Sequence, residues 1–183
     1  MKSISLGLIV LAVIVSLSCD KPQSGNSSSN SSNSNSAEQS TAEKLPEQQV
    51  IDIVNATAAG ETDKVKSLLQ SNPKLINAKF TSGGPVDGWP LIMIAARHNH
   101  KPLVDLLIAS GAKVNDENYS SETALHYASA YGHKDIVETL LKNKADPNVK
   151  NDADATPLSL ANGSDKPNKQ EIIELLRKNG AKE

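Results

Sequence analysis

The sequence predicts an all-α solenoid of about four helix-turn-helix repeats joined by short hairpin loops, and three observations lead there. First, one block recurs at a fixed interval: Pro90, Thr123 and Thr156 stand 33 residues apart, as do Ala95, Ala128 and Ala161. Second, an aliphatic stretch follows each block, at 103–107, 136–140 and 172–176. In the first of these Val104, Leu107 and Ile108 fall at i, i+3 and i+4, one face of a helix. Third, aromatic residues make up only 3% of the chain, so whatever core forms must be aliphatic.

The first 18 of the 183 residues read as a targeting segment rather than as part of that core. Lys2 supplies a basic start, 6–15 is an apolar run interrupted only by Gly7, and Ser16-Leu17-Ser18-Cys19 closes it with small residues. The run is shorter than the ~20 apolar residues of a spanning helix. This layout resembles bacterial lipoprotein signals, in which the cysteine is lipidated and becomes the mature N-terminus. The box departs from the usual form, with Ser16 at −3 and Leu17 at −2, and in this it resembles the relaxed boxes of spirochaetes. The resemblance implies a lipid on Cys19, the chain's one cysteine, and attachment to a membrane of the bacterial cell envelope on its periplasmic or surface face. Two or more acyl chains, at ~0.8 kcal/mol per buried CH₂, make such an anchor stable. A lone cysteine also rules out an internal disulfide.

Residues 19–46 follow as the lipidated cysteine and a Ser/Asn-rich tether. The stretch 24–36 holds only Ser, Asn and Gly, and so has no apolar surface to offset the entropy of ordering. A coil of this length has a root-mean-square span of roughly 25–30 Å, enough to hold a domain clear of headgroups.

The repeat domain occupies 47–183, with units at about 47–79, 80–114, 115–147 and 148–183. Each unit should be two antiparallel helices and a protruding hairpin. A single unit has nothing to bury its apolar face against, so stability comes from stacking. The first unit is the weakest copy: Ala56, Gly60, Val65, Leu68 and Leu69 match Ala95, Asn99, Val104, Leu107 and Ile108, and Asn72-Pro73 should end its second helix. Thr123-Ala124-Leu125-His126-Tyr127-Ala128 and Tyr131-Gly132-His133, with the closing Gly111-Ala112-Lys113-Val114-Asn115, resemble ankyrin repeats. The resemblance covers about three quarters of the chain. Departures from its pattern are specific. Pro90-Leu91 replaces Thr-Pro, which removes a capping hydroxyl. Lys144 takes a helix-closing position where glycine is usual, and a left-handed backbone there costs ~1 kcal/mol or more. Asn99 replaces glycine at another such turn.

Composition and motifs exclude several functions. The formal charge is −2 overall; residues 1–44 hold three basic and three acidic groups, so the remainder is also −2 and gives no electrostatic basis for nucleic-acid binding. There is no nucleophile elbow, no phosphate loop and no convergent ligand cluster, so neither a catalytic group, a cofactor nor a metal is expected. His126 and His133 sit where the resemblance implies structural histidines, and His98 and His100 are expected at the surface of a helix–helix turn. Asp116-Glu117 and Asp152 with Asp154 fall in hairpins and should be solvated.

Function is therefore expected at the surface. The resemblance implies that a protein partner binds the concave face formed by hairpin tips and first helices. Here that face comprises Val86, Asp87 and Trp89 from one hairpin, Tyr119, Ser120 and Glu122 from the next, and Asp152, Ala153 and Ala155 from the last. Arg97, His98, Ala130 and Tyr131 join them from first helices. Trp, Tyr and Arg are the residue types enriched at binding hot spots. The expectation is a monomeric, membrane-anchored interaction module, not an enzyme. The alternatives are a structural envelope lipoprotein without a discrete partner, and a periplasmic factor in oxidative-stress protection, a role linked with some exported ankyrin proteins.

Overall fold

The computed structural model describes residues 47–79 and 88–182. The signal segment, Cys19 and the tether lie outside the described residues. The described residues form eight α-helices and, among them, no strand. The helices come in four pairs: α1 (Glu47–Ala59) with α2 (Thr62–Ser71), α3 (Leu91–Arg97) with α4 (Lys101–Ala109), α5 (Ala124–Tyr131) with α6 (Lys134–Lys142), and α7 (Pro157–Gly163) with α8 (Lys169–Lys178). Turns at 60–61, 98–100, 132–133 and 164–168 are short enough to fold each pair back on itself.

The pairs stack in chain order. First helices pack successively, α1 on α3 on α5 on α7, and second helices form a parallel layer, α2 on α4 on α6 on α8. The aliphatic periodicity explains the stacking. Val104 is 0% exposed and its equivalents in the next two units, Val137 and Ile173, are 0% and 4% exposed, while Ile108, on the same predicted face as Val104, is half-buried. Leu103, Leu107, Ile136, Leu140, Ile172 and Leu176 join them in one continuous core. Each such side chain contributes ~1.5–3 kcal/mol through burial that only a neighbouring pair makes possible. The last pair turns Asn162, Glu174, Arg177 and Lys178 to solvent, as a terminal unit must. As the Asn72-Pro73 step predicts, α2 stops at Ser71 and a 3₁₀ turn, Pro73–Asn77, follows. No helix of the described residues is long and apolar enough to cross a membrane.

Side chains complete the helix ends. Thr156 accepts from the Ser159 N–H at 3.2 Å while the Ser159 hydroxyl accepts from the Thr156 N–H at 2.9 Å. Thr123 and His126 form the corresponding box before α5, and Pro90 offers no such group before α3. His100 is half-buried, not the surface group expected from its place in the turn. Its Nε2 donates to the Ala58 carbonyl at 3.0 Å, and the His133 Nε2 donates to the Arg97 carbonyl at 3.1 Å. Both therefore tie one pair to its predecessor.

Three asparagines make a second set of ties. Asn115 donates to the Lys144 carbonyl at 3.1 Å and accepts from the Asp146 N–H at 2.8 Å. Asn77 makes the same two-bond clamp on Gly111 and Lys113, and Asn148 on Gly180 and Lys182. Each clamp joins the close of one unit to the close of the next.

Lys144 has φ 65°, whereas Gly111 and Gly180 hold the equivalent positions at φ 92° and 91°. Its side chain is exposed, so only the backbone strain is at stake. Lys144→Gly is expected to stabilise the domain by about 1 kcal/mol, read as a higher urea midpoint.

Candidate functional site

Hairpin chemistry sets the rim of the inner face. Asn118 Oδ1 accepts from the N–H groups of Ser120 (2.9 Å) and Glu122 (3.0 Å), and Asn151 Oδ1 does the same for Ala153 (3.0 Å) and Ala155 (2.9 Å). The tight turn brings Ser121 and Asp154 to φ 57°, with Gly88 at φ 70° in the same register. Successive hairpins touch: the Asp152 N–H donates to the Ser120 carbonyl at 3.1 Å, and the Ser121 hydroxyl donates to the Asp152 carboxylate at 2.7 Å. Glu117, Asp152 and Asp154 are solvated at the tips as expected; Asp116 is not, its side chain being 18% exposed and 3.9 Å from the Lys79 ammonium.

Behind the rim runs a line of rings. Tyr119 is 63% exposed and lies over Gly88, where a Cβ would meet the ring at 2.6 Å. A side chain at position 88 would thus displace the tyrosine as well as strain the backbone. Next comes Trp89, whose ring centroid is 4.5 Å from that of Tyr127. Tyr127 stacks towards Tyr131 at 6.4 Å, and Tyr131 towards His133 at 6.0 Å. Tyr131 is 40% exposed. The Arg97 guanidinium sits over the Trp89 ring, 5.4 Å from its centroid, a cation–π contact that holds it in place.

This corrects one expectation. Trp89 is not displayed on the concave surface; at 8% exposure it belongs to the core, clamped between Tyr127 and Arg97. It is the floor of the strip, and the open rings are Tyr119 and Tyr131. Tyr127, which sequence reasoning did not single out, is the ring that joins Trp89 to Tyr131. Its hydroxyl donates to the Glu122 carboxylate, which also accepts from Asn118 Nδ2 at 3.0 Å. Burial, and then the Glu122 carboxylate, hold the Tyr127 phenol well above its ordinary pKa.

The remaining candidate residues divide by exposure. His98, Ser120, Asp152 and Ala153 are exposed; Arg97, Glu122, Ala130 and Ala155 are half-buried. The Ala155 carbonyl is occupied by His126 Nε2 at 3.1 Å. Val86 and Asp87 lie outside the described residues. Burial, followed by the nearby Arg97 charge, lowers the His98 pKa, and its ring stacks on His100 at 6.1 Å. His126 is fully buried and bonded to backbone on both sides, which leaves it no lone pair for a ligand or a proton-transfer role. Among the described residues no group of three or more His, Cys, Asp or Glu side chains could hold a metal.

The arrangement is a recognition surface: rigid rings, one positioned cation and solvated hairpin tips on a stacked scaffold. The model for "Ankyrin repeats (3 copies)" matches residues 53–151, more than half of the chain. The chain belongs to the ankyrin-repeat family. Ankyrin repeats mediate protein–protein interaction, and this chain's repeats carry the geometry for it. It is 42% identical over 79 residues (43% of the chain, 15% of the relative) to an E3 ubiquitin-protein ligase of Arabidopsis thaliana. It is 30% identical over 90 residues (49% of the chain, 18% of the relative) to an NAD-capped RNA hydrolase of Pongo abelii. The chain thus spans less than a fifth of the length of these curated relatives.

Proposed function

We propose that the chain is a protein-binding module held at a bacterial membrane by a lipid on Cys19, and that its ankyrin inner face grips a partner in the cell envelope. The binding half of the reading is carried by one observation: Tyr119 and Tyr131 stand open on the inner face, while the Trp89–Tyr127 ring pair beside Tyr131 is held by packing. Aromatic side chains with few rotamers lose little entropy on contact, and hot spots form around such anchors. Tyr119→Ala and Tyr131→Ala are each expected to weaken the partner complex about tenfold or more, with no more than a small shift in the domain's melting temperature. Because Trp89 is a core residue, Trp89→Ala would confound the two readouts and is the wrong probe. Full retention of the partner by the Tyr119→Ala/Tyr131→Ala double variant would overturn the reading.

The anchoring half is supported by the apolar run at 6–15 closing on Ser16-Leu17-Ser18-Cys19 and by the Ser/Asn-rich stretch that follows. Cells fed an alkyne fatty acid are expected to label the chain, and Cys19→Ser to abolish the label and release the protein from the membrane fraction. Undiminished labelling of the Cys19→Ser variant would contradict it.

A further inference from the structure

The two helix layers differ in charge. α4, α6 and α8 carry acids and bases that pair with one another: Lys101 with Asp105 at 2.7 Å, Lys142 with Glu138 at 2.7 Å, and Lys134 with Glu171. Of the inner helices, α1 carries Glu47 and Asp52, whereas α3, α5 and α7 hold no Asp or Glu, and Arg97 is the one Lys or Arg of these three. Among the described residues no carboxylate pairs with Arg97. The inner-face acid Glu122 is occupied by the Tyr127 hydroxyl and the Asn118 amide. The guanidinium is also fixed in advance, stacked on Trp89 beside the ring line. A half-buried, immobilised cation that no described carboxylate pairs with is complementary to an anion, and guanidinium matches carboxylate in a two-bond fork.

We propose that the inner face takes an acidic, extended segment of a protein, with one carboxylate on Arg97 and neighbouring side chains against Tyr131. The inference rests on the protein-binding reading above and adds the partner's chemistry. A long polyanion such as nucleic acid is disfavoured by the solvated Glu117, Asp152 and Asp154 at the hairpin tips. A short segment with a single acidic stretch meets the cation and avoids the tips.

The test pans a phage-displayed library of random peptides against the full chain and against its Arg97→Gln variant. Peptides selected on the native chain are expected to be enriched in Asp and Glu, and those selected on the variant not to be. The leading peptide should bind about tenfold or more weaker to Arg97→Gln, and equally weaker when its own acid is changed to the amide, with little further loss when both changes are combined. Arg97→Lys keeps the charge and should recover part of the loss, which separates recognition from folding if Arg97→Gln melts early. Selected peptides without acidic enrichment, or an acidic peptide indifferent to Arg97→Gln, overturn the inference. So do failure to select any peptide and Arg97-dependent binding of a DNA duplex tighter than that of the peptide. Non-acidic peptides that are lost on Tyr131→Ala would leave the concave-face reading standing while removing this one; peptides indifferent to both variants would remove both.

Discussion

His126→Ala is expected to destabilise the domain by about 3–5 kcal/mol, among the largest effects available to a polar residue here. The ring is 0% exposed. Its Nδ1 accepts from the Thr123 N–H at 3.0 Å and lies 2.9 Å from the Thr123 hydroxyl, while Nε2 lies 3.1 Å from the Ala155 carbonyl. A carbonyl can only accept, so Nε2 carries the proton and Nδ1 is the acceptor. Truncation leaves a cavity, an unpaired N–H and an unpaired carbonyl that had joined the third unit to the fourth. The same geometry dictates a pH dependence. Burial lowers the folded-state pKa of His126, and burial likewise lowers those of His98 and His133. The unfolded chain takes up protons near pH 6.5 while the folded chain resists, so stability is full above that value and falls as pH drops below it towards the folded pKa values. Urea midpoints measured between pH 7.5 and 5 should decline, and decline less steeply in His126→Gln. A flat profile would contradict the assigned protonation.

Leu140→Ala carries the second large effect, about 2–5 kcal/mol. The side chain is 0% exposed on α6, which packs against α4 on one side and α8 on the other. In a stack whose units contact only their neighbours, a cavity in the third unit weakens two junctions at once. The chain's one tryptophan reports on this, because Trp89 packs across the junction of the second and third units on Tyr127. In the variant, Trp89 fluorescence should change at lower urea than in the native chain, and before the bulk of the far-UV helix signal. Coincident transitions with a loss under about 1 kcal/mol would show that the units do not share a core.

The repeat register was legible because it is written in residues that the packing cannot do without. Val104, Val137 and Ile173 recur at the same place in each unit and all turn inward. The left-handed backbones at Asn99 and Lys144 follow from their register with glycines elsewhere, and both are observed, at φ 60° and 65°. What the sequence did not disclose are contacts between units. Trp89 looks like a hairpin residue until stacking places Tyr127 against it, and a ring in the next unit has no local signature. The same holds for His100, whose partner is the Ala58 carbonyl far back in the chain. The asparagine clamps left a faint trace, since Asn115 and Asn148 stand 33 residues apart, but nothing in that spacing says that each reaches across to the following unit.

Position-specific crosslinking tests the central claim that the inner face, and not the outer layer, meets the partner. Benzoylphenylalanine replacing Tyr119 or Tyr131 of the full chain, activated in living cells, is expected to give one common protein adduct. The same probe replacing Asp105 or Glu138 on the outer helices should give none. Adducts formed equally from the outer positions, or from them alone, would contradict the account.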